Sequence, residues 1–165
     1  MKISVLRIDD RLIHGQIVTR WVSYANAKTI LVADDKAAKD ATLQMLLKLA
    51  VPSGVTLKIA SIEEAAKAVS ESTSDEKILL ITRNPAETLR LLQLGVSVPS
   101  INVGNISNSK SEVGRKKMLD YIYFEPQDAN ALQKIAEMNV ALDVRAIPDE
   151  SSKDGLSLVK KYLGG

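Results

Sequence analysis

Cysteine is absent from this chain. That excludes disulfides, iron–sulfur clusters, thiol chemistry and thiolate zinc sites. Histidine occurs once, so no multi-histidine metal site can be built. Aromatic residues make up only 4% of the chain, too few for the stacking platforms that bind single-stranded nucleic acid. Neither sign of charge dominates: 22 basic and 20 acidic residues leave a formal net charge of +2. Such a balance gives no general attraction to a polyanion, so nucleic acid is not an expected partner and any electrostatic function must be local. No apolar stretch approaches the ~20 residues that span a bilayer. The start Met1-Lys2-Ile3-Ser4-Val5-Leu6-Arg7, with an acid already at Asp9, lacks the pattern of a signal peptide. The expected location is cytoplasmic, with docking on a membrane protein left open.

What is present belongs to an ordinary folded domain. Hydrophobic residues are 45% and charged residues 25%, the balance of a soluble globular chain rather than a disordered one. A length of 165 residues fits one domain with a normal core. Short runs rich in Val, Ile and Leu recur at Ile3–Ile8, Thr29–Ala33, Thr56–Ala60, Lys77–Thr82, Ser100–Val103, Tyr121–Phe124 and Val140–Ile147. Several are continuous rather than alternating, as in strands covered on both faces. Helical patterns lie between most of them, at Gly15–Tyr24, Lys36–Leu49, Ile62–Ser70, Pro85–Leu94, Asp128–Met138 and Ser151–Leu163. Asp34-Asp35 can cap the second. Ser61 with Glu64 forms a capping-box pattern before the third, and Pro85 and Gly95 bracket the fourth. Strands alternating with helices predict an α/β fold, a mostly parallel sheet with helices on both faces. Ser70–Glu76 and Asn105–Arg115 read as polar loops, the second long enough to be either functional or a plain surface excursion.

In open parallel sheets ligands bind beyond the carboxyl ends of the strands, near the point where strand order reverses. The first predicted strand leads into Asp9–His14, the fourth into Thr82-Arg83-Asn84-Pro85, and the fifth into Asn102-Val103-Gly104-Asn105. If these ends converge, an imidazole, guanidinium groups and backbone amides surround one small space. That collection suits an anion, most simply a phosphoryl group, whose transfer needs positioning and positive electrostatics. Arg11 offers forked donors to phosphate oxygens. The amides near Gly15 and Gln16 open a helix, and a helix start favours anions. A neutral imidazole is a competent nucleophile, and Asp9 or Asp10 can orient the ring or hold Arg11.

Blander readings stand beside these. A helix starting before His14 would place it on the face of Val18 and Trp21, as a packed core residue. Asp10 reads first as a helix cap, Arg7 and Arg20 as solvated charges, Trp21 as core, and Gly104 as a turn residue. No Gly-x-Gly-x-x-Gly or Gly-Lys-Ser/Thr loop supports a nucleotide site, and no Gly-x-Ser-x-Gly elbow supports a serine hydrolase. Composition and spacing stop at an anion site near His14.

The stretch Val5-Leu6-Arg7-Ile8-Asp9-Asp10-Arg11-Leu12-Ile13-His14-Gly15-Gln16-Ile17-Val18 closely resembles the start of the enzyme IIB component of the bacterial sugar phosphotransferase system, mannose/fructose/sorbose class. The resemblance runs the length of the chain and includes Leu31-Val32-Ala33-Asp34-Asp35 and Asn102-Val103-Gly104. The chain departs from the pattern at Asn105, where a second glycine is frequent. The resemblance implies a single phosphocarrier domain over residues 1–165, built on a seven-stranded, mostly parallel sheet. It implies that His14 accepts a phosphoryl group from a phosphohistidine on a partner IIA domain. The group then passes to a sugar held by the membrane IIC and IID components during uptake. Arg11 matches the arginine that steadies the phosphoryl group, and Asp10 lies in the same active loop. Gly15, Gln16, Arg83 and Gly104 are the further expected phosphate contacts. No metal or nucleotide cofactor is implied, and the expected location becomes cytoplasmic with peripheral attachment to the permease. Mannose, fructose, sorbose and N-acetylgalactosamine all stay open as sugars. Two rivals are kept: a regulatory or binding module on the same fold, and a phosphate-ester enzyme acting without a IIA donor.

Overall fold

The computed structural model describes residues 1–107 and 113–164. The first strand, β1 (Lys2–Asp9), is followed by α1 (Gly15–Ala25), β2 (Thr29–Ala33), α2 (Asp35–Lys39), α3 (Ala41–Ala50), β3 (Thr56–Ala60) and α4 (Ile62–Glu71). The chain continues through β4 (Lys77–Thr82), α5 (Pro85–Gln93), β5 (Ser100–Asn105), β6 (Lys116–Leu119) and β7 (Ile122–Phe124). It ends with α6 (Pro126–Glu137), β8 (Ala141–Val144), β9 (Lys153–Asp154) and α7 (Gly155–Leu163).

The main sheet has seven strands in the order β3-β2-β4-β1-β5-β8-β9. Every neighbouring pair is parallel except β8 with β9, so the expected mostly parallel sheet is present. The continuous apolar runs occupy the middle: all of β2 and all but the first residue of β4 are buried. Their side chains alternate between two cores. Ile78 and Leu80 face a cluster with α4, α5, α6 and α7, whereas Leu79 and Ile81 face a cluster with α1, α2 and α3. Each fully buried Ile or Leu contributes about 1.5–3 kcal/mol, so this sheet interior dominates the stability.

Three predicted elements differ from what forms. Tyr121–Phe124 does not join the main sheet. Its residues 122–124 form β7, which pairs antiparallel with β6 in a separate hairpin. Ile122 and Phe124 are buried while Tyr121 and Tyr123 are only half-buried, the alternation of a strand with one wet face. The seventh place in the sheet goes to β9 instead, two residues long. The predicted helix Lys36–Leu49 is broken at Asp40, whose backbone is extended (φ −116°, ψ 101°) and whose carboxylate accepts from Leu43 N at 3.0 Å. A capping carboxylate outcompetes helix continuation at that point. The last helix begins at Gly155 rather than Ser151, because Asp154 caps it through Leu156 N. The third and fourth predicted helices start as read: Ser61 accepts from Glu64 N at 3.1 Å, and Pro85 opens α5.

Candidate active site

β1 is the middle strand, and its carboxyl end lies between those of β4 and β5. From there the chain runs into α1 on one face, while β5 leads towards α6 on the other. This is the switch point at which an open parallel sheet forms its crevice.

The loop between β1 and α1 is pinned by its apolar residues. Leu12 and Ile13 are buried in the α1-side core, and Leu12 N donates to Asp9 O at 2.8 Å. Leu12 takes a left-handed backbone, φ 62°, a conformation that a branched side chain adopts only under compensation from packing. Burying Leu12 and Ile13 leaves the residues on either side of them, Arg11 and His14, on the solvent side.

His14 is exposed. It occupies the N-cap position of α1 with an extended backbone (φ −126°, ψ 103°), and its carbonyl accepts from Val18 N at 3.0 Å. Its side chain makes no capping bond, and the first turn carries no acidic residue. The amides of Gly15, Gln16 and Ile17 have no intrahelical acceptor, and among the described residues no side chain caps them. Gly15 and Gln16 are exposed, and a Cβ built on Gly15 would meet nothing within 4 Å. An imidazole beside free helix-start amides in open space is an anion-binding arrangement. The core-packing alternative for His14 fails on its exposure.

Asp9 is the hub behind the loop. Its carboxylate accepts from Arg11 N at 3.0 Å, Arg11 Nε at 3.1 Å, Arg11 Nη2 at 3.2 Å and Arg7 Nη2 at 3.0 Å. The side chains of Arg7 and Asp9 are each 2% exposed, that of Arg11 31%. Arg7 thus departs from the solvated charge expected of it. Its Nη1 donates to Asn102 Oδ1 at 2.6 Å, and its guanidinium lies 5.1 Å from the Trp21 ring centroid. Burial draws the Arg7 pKa below the ordinary arginine value, while Asp9 raises it in opposition.

Asp10 does not cap a helix, because α1 starts beyond it at Gly15. It accepts from Asn105 Nδ2 at 2.7 Å and from Ser107 N at 2.7 Å, and its own amide donates to Asn105 O at 3.0 Å. Asp10 therefore ties the loop to the end of β5. Asn105 supplies two of those three bonds. Gly104 is not a turn residue; it lies within β5, buried, and a Cβ there would overlap the Arg7 guanidinium. Arg83, at the end of β4, is paired through Nε and Nη2 with Asp34 at 3.0 and 2.7 Å. That partner raises the Arg83 pKa. His14, Gly15, Gln16, Arg11 and Asp10 thus gather on the one loop and helix start. Arg83 stands at the neighbouring strand end, and Gly104 lies beneath. The expected loop Asn105–Arg115 falls partly outside the described residues; its end Arg115 donates to Ser107 O at 3.0 Å and stacks on Tyr123. Sequence reasoning missed Arg7 and Asn105, for which a charge inside an apolar strand run and an amide at a strand end were the available signals.

A profile of the PTS system sorbose subfamily IIB component matches residues 3–163. The chain is 30% identical over 162 residues to the sorbose-specific EIIB component of Klebsiella pneumoniae, covering 98% of this chain and 97% of that protein. It is 31% identical over 161 residues to the fructose-specific EIIB component of Bacillus subtilis, covering 97% of each. Against the mannose-specific EIIAB component of Escherichia coli K12, also 30% identical, it spans 49% of that longer protein. The crystal structure of the IIBSor domain of the sorbose permease from Klebsiella pneumoniae superposes with a TM-score of 0.89 at 31% identity, covering 98% of both chains. Family profile, full-length relatives and fold agree: the chain belongs to the sorbose-subfamily IIB components of the sugar phosphotransferase system, and is a phosphotransferase component.

Proposed function

We propose that the whole chain, residues 1–165, is one phosphocarrier domain with His14 as its transient phosphohistidine. The observation that carries this reading is the exposed His14 imidazole at the uncapped start of α1. A lone pair of that imidazole attacks the phosphorus of a phosphohistidine on a IIA domain. The new P–N bond forms as the donor P–N bond breaks, its electron pair returning to the donor ring. In the second step a sugar hydroxyl oxygen attacks the same phosphorus, the P–N bond to His14 breaks, and the hydroxyl proton is released. Arg11 and the amides of Gly15 and Gln16 face the charge that the phosphoryl oxygens carry, while Asp10 holds the loop to β5.

The sugar is of the hexose or ketohexose type named for the relatives, held by membrane IIC and IID components. The protein works on the cytoplasmic side, attached to that permease through protein contacts; among the described residues no helix is long and apolar enough to cross a membrane. Incubation with phosphoenolpyruvate, the general phosphotransferase proteins and a IIA donor should label the protein with an acid-labile, alkali-stable phosphoryl group. His14→Ala should take no label. Labelling of that variant, or an alkali-sensitive label, overturns the assignment.

A further inference from the structure

The charge arithmetic around Asp9 gives Arg7 a part in the transfer. Arg11 meets the Asp9 carboxylate through its backbone amide, Nε and Nη2. Taken alone, that pair sums to zero and offers an incoming phosphoryl group little attraction. Arg7 meets the same carboxylate from behind, so Asp9 is shared between two guanidinium groups and does not by itself cancel Arg11; Asp10 on the same loop is engaged separately by Asn105 and Ser107, and Glu150 faces Arg7. Arg7 is shielded from water, and a charge in such a place acts at longer range than one on the surface. Its position is fixed on every side. Asn102 Oδ1 accepts from Nη1, and Asn102 is itself held through Nδ2 by the carbonyls of Asp143 and Arg145. Trp21 presents its ring, and Gly104 leaves the recess that the guanidinium fills.

We propose that Arg7 is a positioning and charge-balancing residue for phosphoryl transfer: it offsets the charge of Asp9, so that Asp9 can orient Arg11 without neutralising it. Arg7 touches no substrate and acts only through Asp9 and Arg11. This inference rests on the reading of His14 as the phosphoryl carrier.

Single-turnover transfer from a phosphorylated IIA domain tests it, with folding of each variant checked by thermal melting. Arg7→Met should lower the maximal transfer rate by about tenfold or more, with the half-saturating IIA concentration unchanged. The double variant Arg7→Met/Asp9→Asn removes the buried pair together and leaves the Arg11 charge uncancelled. It should therefore transfer faster than Arg7→Met, although it lacks one more native contact. Gly104→Ala keeps every charge but crowds Arg7 off Asp9, and should also lower the maximal rate; it carries the test if Arg7→Met does not fold. Three results overturn the role of Arg7: full-rate transfer by a folded Arg7→Met or Gly104→Ala, a double variant no faster than Arg7→Met, or a loss confined to IIA affinity. Label appearing on His14→Ala overturns instead the reading of the site, and so separates the two failures.

Discussion

Arg11 spends its backbone amide and two guanidinium nitrogens on Asp9, yet nearly a third of its side chain stays in water. Its loss would leave Asp9 still paired with the buried Arg7, so Arg11 contributes little to folding and its wet part is available to a ligand. Arg11→Ala should slow transfer about a hundredfold and leave the thermal midpoint close to that of the parent; unfolding of the variant would make Arg11 structural instead. Arg83 carries the opposite expectation. Its fork is occupied by Asp34, a buried carboxylate that also caps α2 through Ala37 N at 2.9 Å. Arg83→Ala should cost roughly 3 kcal/mol, because it strands that carboxylate, and urea unfolding measures the loss. A variant that keeps full stability but loses transfer would assign Arg83 to the phosphoryl group. At this scale the sequence showed its local chemistry and hid its distant chemistry. His14, Gly15 and Gln16 are legible because a strand, a loop and a helix follow one another directly. The burial of Arg7 is not, because Asn102 and Gly104, which create its recess, lie far along the chain. The pairing of Asp10 with Asn105 was hidden for the same reason.

Helix starts show how the elements divide between structure and function. Asp34, Asp40, Ser61, Asn84 and Asp154 each cap a helix with a side chain, whereas His14 leaves α1 uncapped. An uncapped start forgoes about 1 kcal/mol of stability and keeps its amides for an anion. α6 uses another device, with Glu125 N donating to Asp128 Oδ2 at 3.0 Å in a capping box. Burial raises the Asp128 pKa from 3.8 to about 6; the charges of Glu125 and Asp10 add to the rise, and the bond from Glu125 opposes it. The folded state therefore holds this proton more tightly than the unfolded chain does. Its contribution is fully present below about pH 4 and is lost as the pH climbs through about 6. Asp128→Asn should be the more stable protein above pH 6, by up to about 3 kcal/mol, and should lose this advantage towards pH 4. Urea midpoints of both proteins across that range measure the difference, and parallel curves would contradict it. Strand bounds at β2, β3 and β4 were legible to the residue, since their apolar runs are abruptly bounded. The break at Asp40 was not, because alanines and leucines on either side keep a helical period running through it. β9 is too short to carry any period, and its pairing depends on β8 alone.

Across the whole molecule the sheet joins the two cores. Neighbouring residues of β4 face opposite layers, so a helical layer that loosens uncovers one face of the strands on which the other layer is packed. Trp21, the sole tryptophan, is buried in the α1 layer and donates to Ala146 O at 2.9 Å. Its fluorescence should follow unfolding at the same denaturant midpoint as far-ultraviolet circular dichroism; separate midpoints would show that the layers come apart independently. The place of β1 has one more consequence, and it concerns time. During synthesis β1 leaves the ribosome before the other strands of its sheet, and its sheet neighbours β4 and β5 begin only at Lys77 and Ser100. At about 5–20 residues per second, the nascent chain must carry its first strand for several seconds before a partner exists. The loop bearing His14 is thus translated well before the strands that fix its working shape.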